Sequence, residues 1–256
     1  MRVLALDSSG LVASVAIVED TPETGEAQTI AEYTVNYKKT HSQTLLPMLD
    51  EVVKMTETDL HTIDAIAVAS GPGSFTGLRI GSATAKGLGL ALDKPLIPVP
   101  TLEGLAYNLC GVSGIVCPIM DARRNQVYTG VYCYTDHRLD TVWEQDTMSI
   151  EALAEGLNCL DHEVIFLGDG VAVYREKLEA LLTIPFSFAP AHVNRQRAAA
   201  VGALAEVYYK EGKIQTAEEH EPEYLRKSQA ERERAERESV KHADVVKKQE
   251  NGEKSE

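Results

Sequence analysis

Apolar positions along the chain fall into short β-branched runs separated by polar turns, and into longer segments with helical spacing. Residues 3 to 18, VLALDSSGLVASVAIV, hold two apolar runs broken at Asp7-Ser8-Ser9-Gly10, the pattern of a β-hairpin with a polar turn. A third strand is predicted over Thr29 to Tyr37. Leu45, Leu46, Leu49, Val52 and Val53 then line one helical face, and Thr40-His41-Ser42-Gln43 in front of them has the form of a capping box. Pro47 requires this helix either to kink or to begin there. Ile63 to Ala69 is short and apolar enough for a buried strand, Pro95 to Pro100 predicts another, and Thr101 to Leu105 opens a further helix.

The stretch Ser70 to Gly81, SGPGSFTGLRIG, turns the strand before it sharply into the helix after it. Gly71 accommodates the restriction that Pro72 places on its predecessor, Gly73 permits positive φ, and Ser74 or Thr76 can cap the first N–H groups. The helix should run to about Leu92, where Asp93-Lys94-Pro95 stops it. Gly77, Gly81, Ala85 and Gly89 are spaced four apart and make one stripe with almost no side chain. With Gly87 the helix contains four glycines that weaken it by roughly 1 kcal/mol each relative to Ala. Close approach of another backbone explains them, and that element lies either in the same fold or on a partner. The stretch lacks the Gly-Lys-Ser/Thr of a Walker loop, since Leu78 and Arg79 follow Gly77.

The pattern then restarts. Ile115 to Met120 is apolar, Asp121-Ala122-Arg123-Arg124-Asn125 is a polar turn, and Gln126 to Tyr134 alternates toward a second strand, with Asp121 in the place of Asp7. Helices are expected at Ser149 to Leu157 and Val173 to Leu182, with a strand at Glu163 to Leu167 between them. An alanine-rich helix over Arg195 to Lys210 closes the folded part. This order implies duplication of a βββαβα unit, wound as in the lobes of actin-like and sugar-kinase-like folds. The predicted division is an N-terminal lobe at 1–105, a C-terminal lobe at 106–228 with the closing helix and the segment EPEYLR, and a charged, flexible tail at 229–256.

Length and charge narrow the functions available. At 256 residues the chain can build one large domain or two lobes, and its formal charge is −14. Residues 229–256 hold eight acids and seven bases, so −13 belongs to the folded body. An acidic body gains nothing from counterion release, which leaves RNA reachable only through a more basic partner. The chain passes from Met1-Arg2 into a strand without a signal-type segment, and no apolar run has the length of a membrane span. Cys110, Cys117, Cys133 and Cys159 show no paired spacing and sit among apolar neighbours, which predicts buried, reduced thiols in a cytoplasmic protein.

Catalytic signatures are scarce. The seven histidines show no metal-ligand spacing, and neither H-E-x-x-H nor G-x-S-x-G occurs. Asp7 and Asp121 stand where an actin-like ATPase would place phosphate-loop carboxylates, although position alone favours turn capping. Arg123 and Arg124 could meet phosphate or simply be solvated. Asp169, between two glycines, is either near a cleft or only in a loop. His41 reads as a surface or capping residue.

LALDSS at 4–9, HSQTLLP at 41–47, SGPGSFTGLRIG at 70–81, AKGLGLALDKPLIPVPTLEGLA at 85–106 and EPEYLR at 221–226 together resemble the TsaB family, also called YeaZ. The resemblance implies an α/β, two-lobe fold of the actin-like, Hsp70-like and sugar-kinase-like (ASKHA) superfamily. It also implies a role in making threonylcarbamoyladenosine beside the anticodon of tRNA. TsaB proteins are related to TsaD, whose metal-binding histidines flank a Leu-Glu-Gly; here those positions are Thr101 and Leu105, so no metal is expected. The resemblance therefore implies a non-catalytic scaffold that binds a TsaD-type catalytic subunit, helps recruit a TsaE-type ATPase, and forms a homodimer when alone. His41, Leu45, Leu49, Val52, Phe75, Gly77, Gly81, Ala85 and Gly89 are the expected partner interface. Asp7 and Ser9 are the expected contacts of any ATP or ADP at the junction of the subunits. The alternative is an actin-like ATPase or small-molecule kinase.

Overall fold

The computed structural model describes residues 1–21, 25, 27–37, 40–136 and 138–226; the charged segment 229–256 lies outside them. Among the described residues ten strands form two five-stranded sheets. The first contains β1 (Arg2–Asp7), β2 (Val12–Asp20), β3 (Ala27–Asn36), β4 (Ala65–Gly71) and β5 (Leu96–Pro100), in the order β3-β2-β1-β4-β5. β1, β2 and β3 make an antiparallel meander, with Leu4 opposite Ile17, while β4 runs parallel to β1 and β5 parallel to β4. The second contains β6 (Ile115–Asp121), β7 (Gln126–Thr135), β8 (Arg138–Ser149), β9 (Val164–Leu167) and β10 (Phe186–Phe188). Its order, β8-β7-β6-β9-β10, repeats that of the first. The expected duplication and the two-sheet, actin-like winding are both present.

The helices are α1 (His41–Met55), α2 (Phe75–Leu92), α3 (Thr101–Ala106), α4 (Ile150–Asn158), α5 (Gly170–Leu181) and α6 (Ala198–Lys210). Both faces of the first sheet are covered, which explains why RVLALD does not alternate with polar residues. Leu4, Leu6, Ile17 and Val68 point to the α1 and α2 side, and Val3, Ala5, Ala16 and Ala67 to the α6 side. The α6 side is lined by small residues, so α6 lies close, and a Cβ on Gly202 would sit 2.6 Å from Val18 Cγ2. The second sheet packs α4 and α5 on one face and α3, through Leu102 and Leu105, on the other. The halves therefore exchange closing helices. Chain order groups α6 with the second lobe, but its apolar stripe, Val201, Leu204 and Ala205, completes the core of the first.

Local signals were realised unevenly. Ser74 caps α2 by accepting from Gly77 N at 3.3 Å, and Asp93 ends it in the left-handed region at φ 54°. The capping box at α1 does not form: Thr40 makes no side-chain cap bond, the helix starts at His41, and Pro47 lies inside it. Cys117 is buried, its thiol pushed up to about 12 by burial, whereas Cys110 and Cys159 reach the surface, contrary to expectation. Among the described residues no helix is long and apolar enough to cross a membrane.

Candidate functional site

The β1–β2 turn is clamped between the N-termini of α1 and α2. Asp7 Oδ1 accepts from Ser9 N at 2.8 Å and from Ser9 Oγ at 2.6 Å, folding the chain back on itself as a short polar side chain can. Burial raises the Asp7 carboxyl to about 6, against the two Ser9 hydrogen bonds and the His41 charge, which all favour the ionised form. Ser74 N donates to Ser9 O at 2.7 Å, Ser8 Oγ donates to Gly77 O at 2.8 Å, and His41 Nε2 lies 2.8 Å from Gly10 O. A Cβ on Gly73 would overlap Ser9 O and one on Gly77 would overlap Ser8 O, so both positions require glycine for contact with the turn.

This clamp decides what the small-residue stripe is for, and it corrects the interface expected from the sequence. Gly77 and Gly81 pack against Ser8, Ala85 is fully buried, and Gly89 meets the Leu96 side chain. Leu45, Leu49 and Val52 lie in the same core. Seven of the nine expected interface residues thus face this chain's own sheet, because α1 and α2 must bury their most apolar and smallest sides against β1 and β4. His41 is half-buried and engages Gly10. Phe75 is half-buried with the Arg79 guanidinium 4.9 Å over its ring.

A different face of the pair remains at the surface. Ala83 and Gly87, four apart, are exposed, and nothing lies within 4 Å of a Cβ built on Gly87. Leu90 is 59% exposed beyond them, and Leu46 on α1 is 53% exposed. Gly87 is the one glycine of α2 outside the buried stripe, and that departure from the four-residue spacing was the only sequence signal for this face.

The other candidates are dispersed. Asp7 is 2% exposed and Ser9 fully buried, so both serve the turn and neither is presented as a nucleotide contact. Asp121 holds Arg123 N at 2.9 Å and Arg123 Nη1 at 3.0 Å, and Asp169 Oδ1 accepts from Asp121 N at 3.4 Å. Thr101 Oγ1 accepts from Gly71 N at 3.1 Å, and Leu105 is buried beneath the second sheet. Residues 214–223 run as a strap across α2: Lys86 Nζ donates to His220 O at 2.9 Å and to Glu218 O at 3.2 Å, and Glu223 N donates to Ser70 O at 2.7 Å. Glu223 O occupies the place of a Cβ on Gly71, whose φ is 129°, so the first residues of EPEYLR are docked.

Comparisons with known proteins agree with this arrangement. The family model described as TsaD, tRNA N6-adenosine threonylcarbamoyltransferase, matches residues 28–234. The tRNA threonylcarbamoyladenosine biosynthesis protein TsaB of Bacillus subtilis (strain 168) is 34% identical, over 90% of this chain and 96% of its own. That of Escherichia coli (strain K12) is 30% identical over the same shares. Among solved structures, YeaZ from Pseudomonas aeruginosa has a TM-score of 0.74 at 28% identity, covering 88% of this chain and 99% of that one. A second Pseudomonas aeruginosa structure, described as an uncharacterized protein with similarity to peptidase YEAZ, has a TM-score of 0.75 at 28% identity over the same shares. With two sheets wound alike, a turn clamped by glycines and relatives spanning nearly the whole chain, this protein belongs to the TsaB (YeaZ) family of tRNA threonylcarbamoyladenosine biosynthesis proteins.

Proposed function

We propose that the chain is a non-catalytic scaffold that binds and activates a TsaD-type catalytic subunit, which transfers a threonylcarbamoyl group to the adenosine next to the anticodon of tRNA. The observation that carries this reading is at Thr101 and Leu105, the positions of metal-binding histidines in TsaD-type sequences: one holds the Gly71 N–H and the other fills a core. Threonine is a poor ligand and leucine none, so a partner must supply the chemistry. The partner would dock on the outward face of α1 and α2, where Ala83 and Gly87 let a helix approach and Leu46 and Leu90 bury area. The same face would pair two copies when the partner is absent, and the two pairings would compete by mass action. Activation requires tighter binding to the partner's competent conformation than to its inactive one. A TsaE-type ATPase would join this assembly, any ATP or ADP would be held at the junction of subunits, and tRNA would be contacted through the complex.

The test is threonylcarbamoyl transfer to tRNA in a purified mixture of adenylate donor, TsaD-type and TsaE-type subunits and ATP, with this chain present or omitted. Activity that needs the chain, while the chain alone transfers nothing, supports the scaffold. Activity indifferent to the chain would overturn it. The kinase or ATPase alternative is disfavoured by Asp7, whose carboxylate is buried and engaged by Ser9.

A further inference from the structure

Between the start of β2 and the second half lies a cavity of about 290 Å³ lined by Asp121, Arg123, Asp169, Val173, Arg195 and Gln196. The volume is at the bottom of the roughly 300–1,000 Å³ range of small-molecule sites. Gln196 is 1% exposed, and both its Oε1 and its Nε2 lack a hydrogen-bond partner among the described residues. Burying an amide unmatched costs about 1–3 kcal/mol per group, so its retention at the cavity needs a reason. The residue beneath it is Gly10, where a Cβ would lie 2.8 Å from Gln196 Nε2, so the turn leaves room for this amide.

The lining carries two carboxylates and two guanidiniums, and one pair is already joined, with Arg123 Nη1 donating to Asp121 Oδ2 at 3.0 Å. Asp121 and Asp169 supply two carboxylates, linked by the Asp121 N–H to Asp169 Oδ1. Arg123 reaches out from the β6–β7 turn with its side chain 84% exposed, and it belongs to a run of three left-handed residues, Arg123, Arg124 and Asn125, at φ 64°, 57° and 60°. Non-glycine residues hold that conformation at a cost of about 1–3 kcal/mol each, so the turn presents Arg123 against a local penalty. Arg195 Nη1 donates to Gly168 O at 2.8 Å and to Asn194 O at 3.0 Å, which fixes its guanidinium at the rim. A polyphosphate or simple anion would meet two carboxylates here, and a simple cation two guanidiniums. A small molecule carrying both charges can set its cation against Asp169 and its anion against the two guanidiniums, with Arg123 shared between that anion and Asp121.

We propose that this cavity binds a free α-amino acid, its ammonium against Asp169, its carboxylate against Arg123 and Arg195, and its remaining polar atoms on the Gln196 amide. The site is formed within one chain and requires no partner subunit.

The experiment is calorimetric titration of the full chain with the proteinogenic amino acids, alongside acetate, methylamine and inorganic phosphate. At least one amino acid should bind with a Kd below about 1 mM, and its N-acetyl and methyl-ester forms should bind at least about tenfold more weakly. Val173, 58% exposed on α5, can be enlarged without touching a core, so Val173→Phe should block the cavity at unchanged Tm. Arg123→Ala should weaken binding at least about tenfold. Absence of binding by every amino acid at about 10 mM, or acetate or phosphate binding as tightly as the amino acid, would overturn the proposal. Binding unaffected by Val173→Phe would also overturn it, by locating the ligand elsewhere.

Discussion

The hydroxyl of Ser8 donates to the Gly77 carbonyl at 2.8 Å while the Ser8 carbonyl oxygen occupies the space a Gly77 Cβ would need. The turn after β1 and the first turn of α2 therefore share one contact that admits no side chain. Gly77→Ala gains about 1 kcal/mol of helix propensity but must displace a backbone oxygen, and overpacking of this kind costs about 1–3 kcal/mol or more. A net loss of stability is expected in urea unfolding, where an ordinary helical glycine would show a gain.

Two glycines of one helix should behave oppositely. Gly81→Leu drives a side chain into Ser8 Oγ and Val68, so the chain should be unfolded or strongly destabilised, whatever partner is present. Gly87 faces open space: Gly87→Ala should stabilise by about 0.5–1 kcal/mol, read from the urea midpoint. Gly87→Trp should remain folded by circular dichroism and lose association with the TsaD-type subunit in gel filtration. Undiminished association of the folded Gly87→Trp variant would remove this face as the interface.

Asp7 gives stability a definite pH dependence. Its carboxyl is raised from 3.8 to about 6 in the folded state, so the native chain binds more protons than the unfolded one between those values. The favourable contribution is complete below about pH 4 and is lost as pH rises through 6. Asp7→Asn keeps an acceptor for Ser9 and removes the charge. The stability difference between Asp7→Asn and the parent chain should be about 2.4 kcal/mol more favourable to the variant at pH 8 than at pH 4. Equal differences at the two pH values would show that Asp7 titrates normally.

The strap over α2 should loosen independently of the sheets. Lys86 ties both Glu218 O and His220 O to α2, so Lys86→Ala should speed hydrogen exchange of Glu223 N–H by at least about tenfold, a change of roughly 1.4 kcal/mol in local opening. His220 is buried and its pKa is lowered, first by desolvation and then by the Lys86 charge. Its contribution is present above the ordinary histidine range and is lost as pH falls below about 6.5, so acidification should also raise the opening constant of that N–H, read as the exchange rate divided by the intrinsic rate at each pH.

Strands buried on two faces and helices with strong punctuation were legible in the chain itself. Val3 to Val18 reads as a hairpin, and Ser74 to Leu92 as a capped helix, because local chemistry and burial demand the same thing there. β8 and β10 were not legible: β8 has no fully buried position and few apolar ones, and Phe186–Phe188 is three residues held by pairing to β9 and by ring contact with Phe166. The duplication and the family were carried by the order of runs and by the long glycine-rich match, both properties of sequence alone.

Only the tertiary structure decided which neighbour each surface meets. Helical spacing says that Gly77, Gly81, Ala85 and Gly89 share a face, but it does not say what approaches that face; Gly77 and Gly81 meet Ser8, brought there by parallel pairing of β1 with β4 across about sixty residues of chain, and Gly89 meets Leu96. The same holds for α6, whose alanine-rich stripe fits any close-packed sheet and is placed on the first by the small side chains of Ala5, Ala16 and Ala67. Gln196 carries no sequence signal at all, because an unmatched amide exists only once the turn at Gly10 and the second sheet enclose it. Periodicity is a property of the local backbone and is written in the chain, whereas the identity of a contact depends on long-range closure, which no local spacing encodes.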